Sequence, residues 1–320
     1  MSITRINNSF QIIDQTLLPE AEHYITIENY DVMIDAIKTL KIRGAPSIGI
    51  AALAAAYLGA LCLKNDPDFY NKMIDILDKI ENSRPTAVNL FHATNKVKNI
   101  LSTNASDTTE KISNLVDELF KYELNACEEM AEAGYNIIPK HINTFLTHCN
   151  TGSLATYGSG TALGVLKRIA KHRNIVVYVT ETRPLLQGAR LTIYELEKEG
   201  INSVLITDSM AAWTIKNKNI QAIITGADRI ARNGDTANKI GTYNLAIIAK
   251  HFKIPFYVVA PDSTVDNSIN SGEDMIIEER DASEIKYFNN KLITIKTANV
   301  FNPAFDITPA ELITKIICKQ

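Results

Sequence analysis

The stretch INTFLTHCNTGSLATYGSGTALGVLKRIAKHRNIVVYVT, residues 142–180, decides the fold of this chain. It holds two short runs of β-branched and apolar residues with an amphipathic segment between them, which predicts two parallel strands joined by a crossover helix. Three similar runs follow: NSVLIT at 202–207, QAIITGAD at 221–228 and IPFYVVAP at 254–261. Strand and helix patterns that alternate so regularly predict a Rossmann-like, doubly wound parallel sheet.

The sequence before residue 140 has a helical periodicity after a short extended opening at 10–14. One helical segment follows Pro85, and another begins near Asp107 and runs towards Gly134, where the glycine and the nearby Pro139 predict its end. The uncharged segment from Pro46 to Leu63 approaches the length of a membrane span, but it is rich in Ala and Gly and predicts a buried helix instead. We predict an α/β protein with a mainly helical domain at 1–139 and a Rossmann-like domain at 140–320.

Composition limits the class of protein. A length of 320 residues suits two domains, and a net charge of -3 with 46% hydrophobic residues is typical of a globular protein rather than a disordered or nucleic-acid-coating one. The four cysteines have neither a CxxC pair nor a disulfide-framework spacing, and no signal peptide is evident, so we expect thiols in the cytoplasm. The histidines lack metal-ligand spacing, which predicts no metal site.

Ligands of doubly wound sheets bind beyond the carboxyl ends of the strands, so the residues that follow each run are the first candidates for chemistry. Cys149 follows the first run and is succeeded by a polar, glycine-containing loop, which favours a functional thiol over an inert core cysteine. Asp228 follows the fourth run, where a carboxylate either caps a turn or acts on a ligand. Glu181, Asp208 and Asp262 occupy comparable positions.

Four segments put a polar or cationic side chain just before a predicted helix start. An unpaired helix N-terminus beside a guanidinium is suited to binding phosphate. Any single one is better explained as a solvated surface arginine, but several such ends in one chain favour an anionic substrate. The segments are Arg43-Gly44-Ala45-Pro46, Arg84-Pro85-Thr86, Arg183-Pro184 with Gln187-Gly188, and Asn238-Lys239-Ile240-Gly241.

A glycine run at 158–164 imitates a dinucleotide-binding fingerprint, with Glu181 further along the chain. The imitation is imperfect because the last glycine comes one residue late and a long loop replaces the tight turn after the strand. Nicotinamide binding is therefore the weaker alternative.

The chain resembles the methylthioribose-1-phosphate isomerases of methionine salvage. The matching blocks extend over nearly the whole sequence, and the longer ones are highly specific: IRGAPSIGIAAL at 42–53, SRPTAVNLFHA at 83–93, THCNTGSLATYGSGTALGV at 147–165, ETRPLLQGARLTIYEL at 181–196, GADRIARNGDTANKIGTYNLA at 226–246 and NPAFDITPAEL at 302–312.

The resemblance implies a conversion of 5-methylthioribose 1-phosphate to the corresponding ketose, with Asp228 as proton donor and Cys149 assisting in the transition state. It also implies a homodimer and no cofactor, while the composition and the buried apolar helix predict no nucleic-acid or membrane partner. Substrate and phosphate would be bound by Arg43, Gly44, Ala45, Arg84, Gln187, Asn238 and Lys239.

Three alternatives stay open at this point. The substrate could be 5-deoxyribose 1-phosphate or ribose 1,5-bisphosphate, and the chain could instead be a non-catalytic regulatory subunit of the initiation factor 2B type. The hydrogen could move from C2 to C1 either as a proton, with Cys149 as base, or as a hydride.

Overall fold

The computed structural model describes residues 1–85, 87–103 and 107–318. The chain divides into two compact units, of which the first contains Met1–Glu129 and Thr151–Gly164, and the second contains Met130–Asn150 and Val165–Gln320. The contacts thus divide the chain at Glu129 rather than at the predicted boundary of 139/140, and they assign one loop of the later sequence to the first unit.

The first unit begins with an antiparallel sheet in the order β1-β2-β3 and continues in helices. The sequence predicted the helices but only a single extended segment where the sheet forms. The strands are β1 (Ile3–Ile6), β2 (Ser9–Ile13) and β3 (Tyr24–Ile27), and the helices are α1 (Tyr30–Lys38), α2 (Ala45–Cys62), α3 (Phe69–Ser83), α4 (Val88–Leu101) and α5 (Thr108–Ile137), whose residues from Met130 onward belong to the second unit.

Helix α2 is the centre of the first unit's core. It is long and apolar enough to cross a membrane, but it is mostly buried among the other helices of its own unit, as predicted for a core helix. Its glycines permit this close packing, because a Cβ on Gly59 would lie 2.9 Å from Cδ1 of Ile76. A Cβ on Gly49 would lie 3.3 Å from the carbonyl oxygen of Asn89, near the start of α4.

Two predicted helix limits are wrong. Helix α4 begins at Val88, later than the start predicted at Arg84-Pro85-Thr86, and Thr86 lies outside the described residues. Helix α5 does not stop at Gly134 but continues to Ile137. This glycine serves packing rather than termination, since a Cβ there would lie 2.5 Å from the methyl groups of Val165.

The second unit is built on a six-stranded parallel sheet in the order β15-β10-β7-β4-β5-β6. The five predicted runs form β4 (Thr144–Thr147), β5 (Val176–Thr180), β6 (Ser203–Ile206), β7 (Ala222–Thr225) and β10 (Phe256–Val259), so the predicted fold class is confirmed. The sixth strand, β15 (Lys315–Ile317), was not predicted.

A smaller four-stranded sheet in the order β11-β8-β9-β14 also belongs to the second unit. Its strands are β8 (Arg229–Ala231), β9 (Thr236–Lys239), β11 (Val265–Asp266) and β14 (Phe305–Thr308), and a separate hairpin contains β12 (Tyr287–Phe288) and β13 (Lys291–Leu292). The later helices are α6 (Ala162–Ala170), α7 (Ile193–Lys198), α8 (Ala211–Lys218), α9 (Thr242–Phe252) and α10 (Ser283–Lys286).

The order of the large sheet creates a topological switch point. The first strand of this sheet along the chain is β4, and β5 and β6 follow outward on one side of it. The chain then returns to β7 on the other side of β4 and continues outward through β10 and β15. The crevice beyond the carboxyl ends of β4 and β7 is where ligands bind in sheets of this kind.

Candidate active site

Cys149 and Asp228 follow the two strands that flank the switch point. Strands β4 and β7 are paired in parallel, with Thr147 opposite Ile224, so Cys149 comes two residues and Asp228 four residues after this matched pair. Neighbouring strands are about 4.8 Å apart. The register therefore brings the predicted thiol and the predicted carboxyl to the same edge of the sheet.

The backbone of Cys149 has an unusual conformation that two threonine hydroxyls stabilise. Its φ of 61° lies in the left-handed region, and the residue is only 7% exposed. Its N–H donates to Oγ1 of Thr182 at 2.9 Å, and its carbonyl accepts a hydrogen bond from Oγ1 of Thr192 at 2.6 Å. Left-handed backbone at a non-glycine residue is frequent at active sites, where the surroundings hold it in place.

Thr182 is itself left-handed, with a φ of 64°, which is a genuine outlier for a β-branched residue. The carboxylate of Asp208, which follows β6, accepts the backbone N–H groups of Thr182 at 2.8 Å and Arg183 at 2.7 Å. The Asp208 carboxylate thus fixes the loop that contains Thr182, whose hydroxyl accepts the hydrogen bond from the Cys149 N–H.

A buried ion pair lies behind the residue that follows Cys149. The side-chain amide of Asn150 donates to Oε1 of Glu195 at 2.9 Å, while Nζ of Lys167 contacts Oε2 of the same carboxylate at 3.1 Å. Lys167 and Glu195 are 7% and 4% exposed. Burial opposes the charge of Lys167, but Glu195 and Glu199 nevertheless raise its pKa. The loop after β4 is therefore tied to a charged pair in the interior.

Asp228 lies in the turn between β7 and the small sheet. Its backbone N–H donates to the carbonyl of Ala237 at 2.9 Å, which puts it across from β9, the strand that ends in Asn238 and Lys239. The predicted acid and two predicted binding residues therefore occupy one hairpin.

Lys239 is held at the base of this hairpin. Its Nζ donates to the carbonyl of Ala304 at 2.8 Å and lies 4.6 Å from the ring centroid of Phe305. Asn238 is buried, and its side-chain amide donates to Oγ1 of Thr242 at 2.9 Å.

The N-terminus of α9 is occupied by a carboxylate of the chain itself. Asp306 accepts the N–H groups of Gly241 at 2.6 Å and Tyr243 at 3.0 Å. Burial raises the pKa of Asp306 to about 6, although these two N–H groups and Lys239 act in the opposite direction. The prediction that this helix start offers its amides to a phosphate is therefore wrong, because the amides of Gly241 and Tyr243 already serve as donors to Asp306.

Gln187 comes directly before a π-helix, Gly188–Thr192, a type of helix that is frequent at functional sites. The π-helix lies tightly against the end of β5, since a Cβ on Gly188 would overlap the carbonyl oxygen of Thr180 at 1.8 Å. The Gln187 side chain is 5% exposed, and its Oε1 has no hydrogen-bond partner among the described residues. A buried acceptor of this kind is suited to a hydroxyl donor from a ligand.

The predicted arginines of the first unit flank helices that pack on each other. Arg43 precedes α2, whose N-cap Gly44 has a φ of 89°, and Pro46 is the second residue of the helix. Arg84 ends α3 and comes before α4. Because Gly49 of α2 contacts Asn89 of α4, the starts of these two helices lie together.

Gly44 is required by its conformation and its contacts, because a Cβ there would lie 2.6 Å from Ala155 in the loop Thr151–Gly164. This loop is anchored within the first unit by Ser2, whose Oγ donates to the Thr156 carbonyl at 3.0 Å, and by Gln15, whose Nε2 donates to the Leu154 carbonyl at 2.7 Å. Strand β4 ends at Thr147 and α6 begins only at Ala162, so the glycine run does not form the tight turn of a dinucleotide site.

Comparisons with known proteins show the family of this chain. The model of the "Initiation factor 2 subunit family" matches residues 41–320. A methylthioribose-1-phosphate isomerase of Dehalococcoides mccartyi is 49% identical, over 98% of this chain and 96% of that protein. The chain belongs to the family of these isomerases and the initiation factor 2 subunits.

Solved structures of the family show the same architecture. The 5-methylthioribose 1-phosphate isomerase of Pyrococcus horikoshii OT3 is similar with a TM-score of 0.90 and 37% identity, covering 99% of this chain and 90% of that one. A protein described as translation initiation factor eIF-2B, subunit delta, from A. fulgidus is similar with a TM-score of 0.86 and 36% identity, covering 99% and 93%. The family therefore includes proteins of two described roles.

Sequence reasoning missed the residues that support the site from behind. Thr182 and Thr192 give no pattern of their own, because a threonine hydroxyl that binds a distant backbone group looks like any other polar residue in a loop. Asp208 carried a usable signal, since it directly follows a predicted strand.

Proposed function

We propose that this chain is an aldose–ketose isomerase that converts 5-methylthioribose 1-phosphate to 5-methylthioribulose 1-phosphate in methionine salvage. The observation that carries the proposal is the 49% identity, over 98% of the chain, to a protein named for this activity. Cys149 and Asp228 at one switch point support it.

The reaction is an internal oxidation and reduction. One carbon of the sugar is oxidised while its neighbour is reduced, so substrate and product are isomers and no cofactor has to accept electrons. Since the anomeric oxygen of the substrate carries phosphate, the ring cannot open by loss of a hydroxyl proton. An acid must instead protonate the ring oxygen.

We assign the acid to Asp228. Its carboxyl would donate a proton to the ring oxygen as the bond from that oxygen to C1 breaks. Cys149 would then act at the neighbouring carbons in one of two ways. As a base it would remove the C2 proton to give an enol and return a proton to C1, while the C2 hydroxyl gives its proton to the Asp228 carboxylate as the ketone forms. As a neutral thiol it would stabilise the developing cation during hydride transfer from C2 to C1, with the C2 hydroxyl proton going to the same carboxylate. The 7% exposure of Cys149 is compatible with both routes.

We assign the phosphate and sugar to residues at the helix starts and loop ends. The guanidinium groups of Arg43 and Arg84 are suited to bidentate contacts with phosphate oxygens, and the unpartnered Oε1 of Gln187 is suited to a sugar hydroxyl. The proposed set is Arg43, Gly44, Ala45, Arg84, Gln187, Asn238 and Lys239.

A non-catalytic role is the second candidate, and it is favoured by the 36% identity to the A. fulgidus protein described as an initiation factor subunit. The two roles are separated by incubating the pure protein with methylthioribose 1-phosphate and following the sugar carbons by NMR. We expect the ketose to appear. Binding of the sugar phosphate without any ketose would favour the regulatory class.

Related sugar phosphates test the specificity of the proposed site. 5-Deoxyribose 1-phosphate differs only in an apolar substituent, which is worth about 1–3 kcal/mol in a pocket, so we expect it to react with a lower kcat/KM. Ribose 1,5-bisphosphate brings a second phosphate and we expect it to react least. A kcat/KM highest for the bisphosphate would contradict the assignment.

We further propose a cytoplasmic homodimer. Strand β6 is at the end of the large sheet, with Leu205 49% exposed, and Trp213 of the nearby α8 is 67% exposed. Apolar side chains on an edge strand and its neighbouring helix are suited to a subunit interface. Sedimentation equilibrium at dilute protein tests this, with a dimer mass expected and a monomer mass as the contrary result. Trp213→Glu is expected to shift the equilibrium towards monomer.

A further inference from the structure

His148 is buried in the second unit, beside Cys149, and joins two parts of the candidate site. Its Nδ1 lies 2.6 Å from Oγ1 of Thr180 at the end of β5, and its Nε2 lies 2.8 Å from the carbonyl oxygen of Ile240 in the segment after β9. The residue is 2% exposed. One side chain thus spans from the strands of the large sheet to the segment that carries Lys239.

The partners of His148 fix its tautomer. The Ile240 carbonyl can only accept, so Nε2 must carry the hydrogen, and in a neutral ring Nδ1 then accepts the hydroxyl hydrogen of Thr180. Burial lowers the pKa of His148, which keeps the ring neutral. This imidazole is therefore a fixed donor to Ile240 rather than a proton shuttle or a metal ligand.

The segment that contains Ile240 also contacts the ring itself. A Cβ on Gly241 would lie 3.0 Å from Cε1 and 3.1 Å from Nε2 of His148, and the φ of Gly241 is 105°. Opposite the ring, Asp306 accepts the Gly241 N–H and the Ala304 carbonyl accepts the Ile240 N–H at 3.1 Å. The segment is fastened between His148 and β14, so its position depends on both.

We propose that His148 is a positioning residue, which holds the Ile240 carbonyl and thereby fixes Lys239 relative to Cys149 at the end of β4. The inference rests on the proposed function, because it takes Lys239 as a residue that binds the substrate's phosphate. It adds a residue that touches no substrate but sets the distance between the phosphate site and the reacting carbons.

Two substitutions separate the two hydrogen bonds of the ring. The side-chain nitrogen of glutamine reaches the position of Nε2, so His148→Gln retains a donor to Ile240 and loses the partner of Thr180. The shorter asparagine reaches the position of Nδ1, so His148→Asn retains a partner for Thr180 and loses the donor to Ile240. We expect His148→Asn to raise the KM for methylthioribose 1-phosphate and the Ki of inorganic phosphate roughly ten-fold, and His148→Gln to raise them less than about three-fold.

A double-mutant cycle tests whether the effect passes through Lys239. In a Lys239→Met background, His148→Asn is expected to change KM and phosphate Ki by less than about two-fold, because the group it positions is already missing. His141→Asn, at an exposed histidine of the same unit, is the matched control and is expected to leave both constants unchanged.

Equal effects of the glutamine and asparagine variants would overturn the proposal, as would a His148→Asn effect that persists undiminished without Lys239. A merely structural role would lower the thermal midpoint of both variants without separating their KM values. Calorimetry with inorganic phosphate keeps the test independent of turnover. Wild-type protein that binds phosphate but converts no substrate would overturn the isomerase alone, whereas protein that does neither would overturn both proposals.

Discussion

The N–H of Cys149 donates to the hydroxyl of Thr182 across 2.9 Å, and both residues have left-handed backbone, with φ values of 61° and 64°. Two strained residues that follow adjacent strands therefore support each other. Asp208 accepts the N–H of Thr182 from the other side, so the thiol's backbone position depends on a chain of hydrogen bonds that reaches from β4 through β5 to the loop after β6.

This chain of hydrogen bonds is tested at Thr182. Thr182→Val retains the branched shape but removes the hydroxyl, so the buried Cys149 amide loses its acceptor. We expect a loss of about 1–3 kcal/mol in the free energy of unfolding by urea and about a ten-fold lower kcat from the displaced thiol. Thr182→Ser, which keeps the hydroxyl, is the control. A valine variant that is as stable and active as the serine variant would show that the hydrogen bond has no role.

The assigned chemistry is tested at Cys149 and Asp228. Cys149→Ser and Asp228→Asn are each expected to lose at least ~10²-fold in kcat while KM changes little, as removal of an acid or base does. The matched controls are Cys62→Ser and Asp75→Asn, both at exposed positions of the first unit. Near-normal turnover in either site variant would refute the role assigned to that residue.

The route of the hydrogen is tested with substrate that carries deuterium at C2. If Cys149 acts as a base, part of the deuterium exchanges with water, whereas direct hydride transfer retains all of it at C1 of the product. Mass spectrometry of the ketose measures the retention. Complete retention at every pH would exclude a Cys149 base that exchanges with solvent.

The pH dependence of stability is tested at Asp306. Its pKa is about 6 in the folded protein and 3.8 in its ordinary state, so between these values the folded chain binds more protons than the unfolded chain. The contribution of this group is therefore most favourable below about pH 4 and is lost as the pH rises through 6, by an amount on the order of 2 kcal/mol. Asp306→Asn is expected to reduce this decline.

The measurement is urea unfolding of both proteins at a series of pH values from 4 to 8. The difference between wild type and Asp306→Asn isolates this carboxyl from the other groups that titrate in the same range. A difference that does not change with pH would contradict the raised pKa.

The buried pair Lys167 and Glu195 is tested by a double-mutant cycle. Lys167→Met leaves the Glu195 carboxylate buried with fewer compensating charges and is expected to cost about 3–5 kcal/mol in unfolding free energy. Adding Glu195→Gln removes the charge and keeps an oxygen for Asn150, so the double variant is expected to be more stable than Lys167→Met alone. Additive losses would contradict coupling between the two side chains.

The large sheet could be predicted from sequence because its central strands β4, β7 and β10 are buried on both faces and read as continuous apolar runs. The positions of Cys149 and Asp228 followed from the same pattern, since the carboxyl ends of parallel strands meet at one edge. β15 could not be predicted, because the short run Lys315–Ile317 has too few residues to give a period.

The small sheet could not be predicted for a different reason. Strand β9 is polar, Thr236–Lys239, and it pairs with β14 more than sixty residues later, with Asn238 opposite Asp306. Nothing local in either segment signals such a pairing. The occupation of the α9 N-terminus by Asp306 follows from this long-range contact, which is why the sequence could not show that the amides of Gly241 and Tyr243 already have an acceptor.

The residues of helix α2 from Pro46 to Ala60 are all buried, and Arg43 and Gly44 stand directly before its first turn. A buried helix cannot rotate about its axis or shift along it unless the side chains packed around it move at the same time. The backbone of Arg43 is consequently held in place by the core of the first unit. Changes in which sugar the protein prefers are therefore expected to arise from substitutions in loops, and substitutions at the buried positions of this helix are expected to destabilise the fold before they alter selectivity.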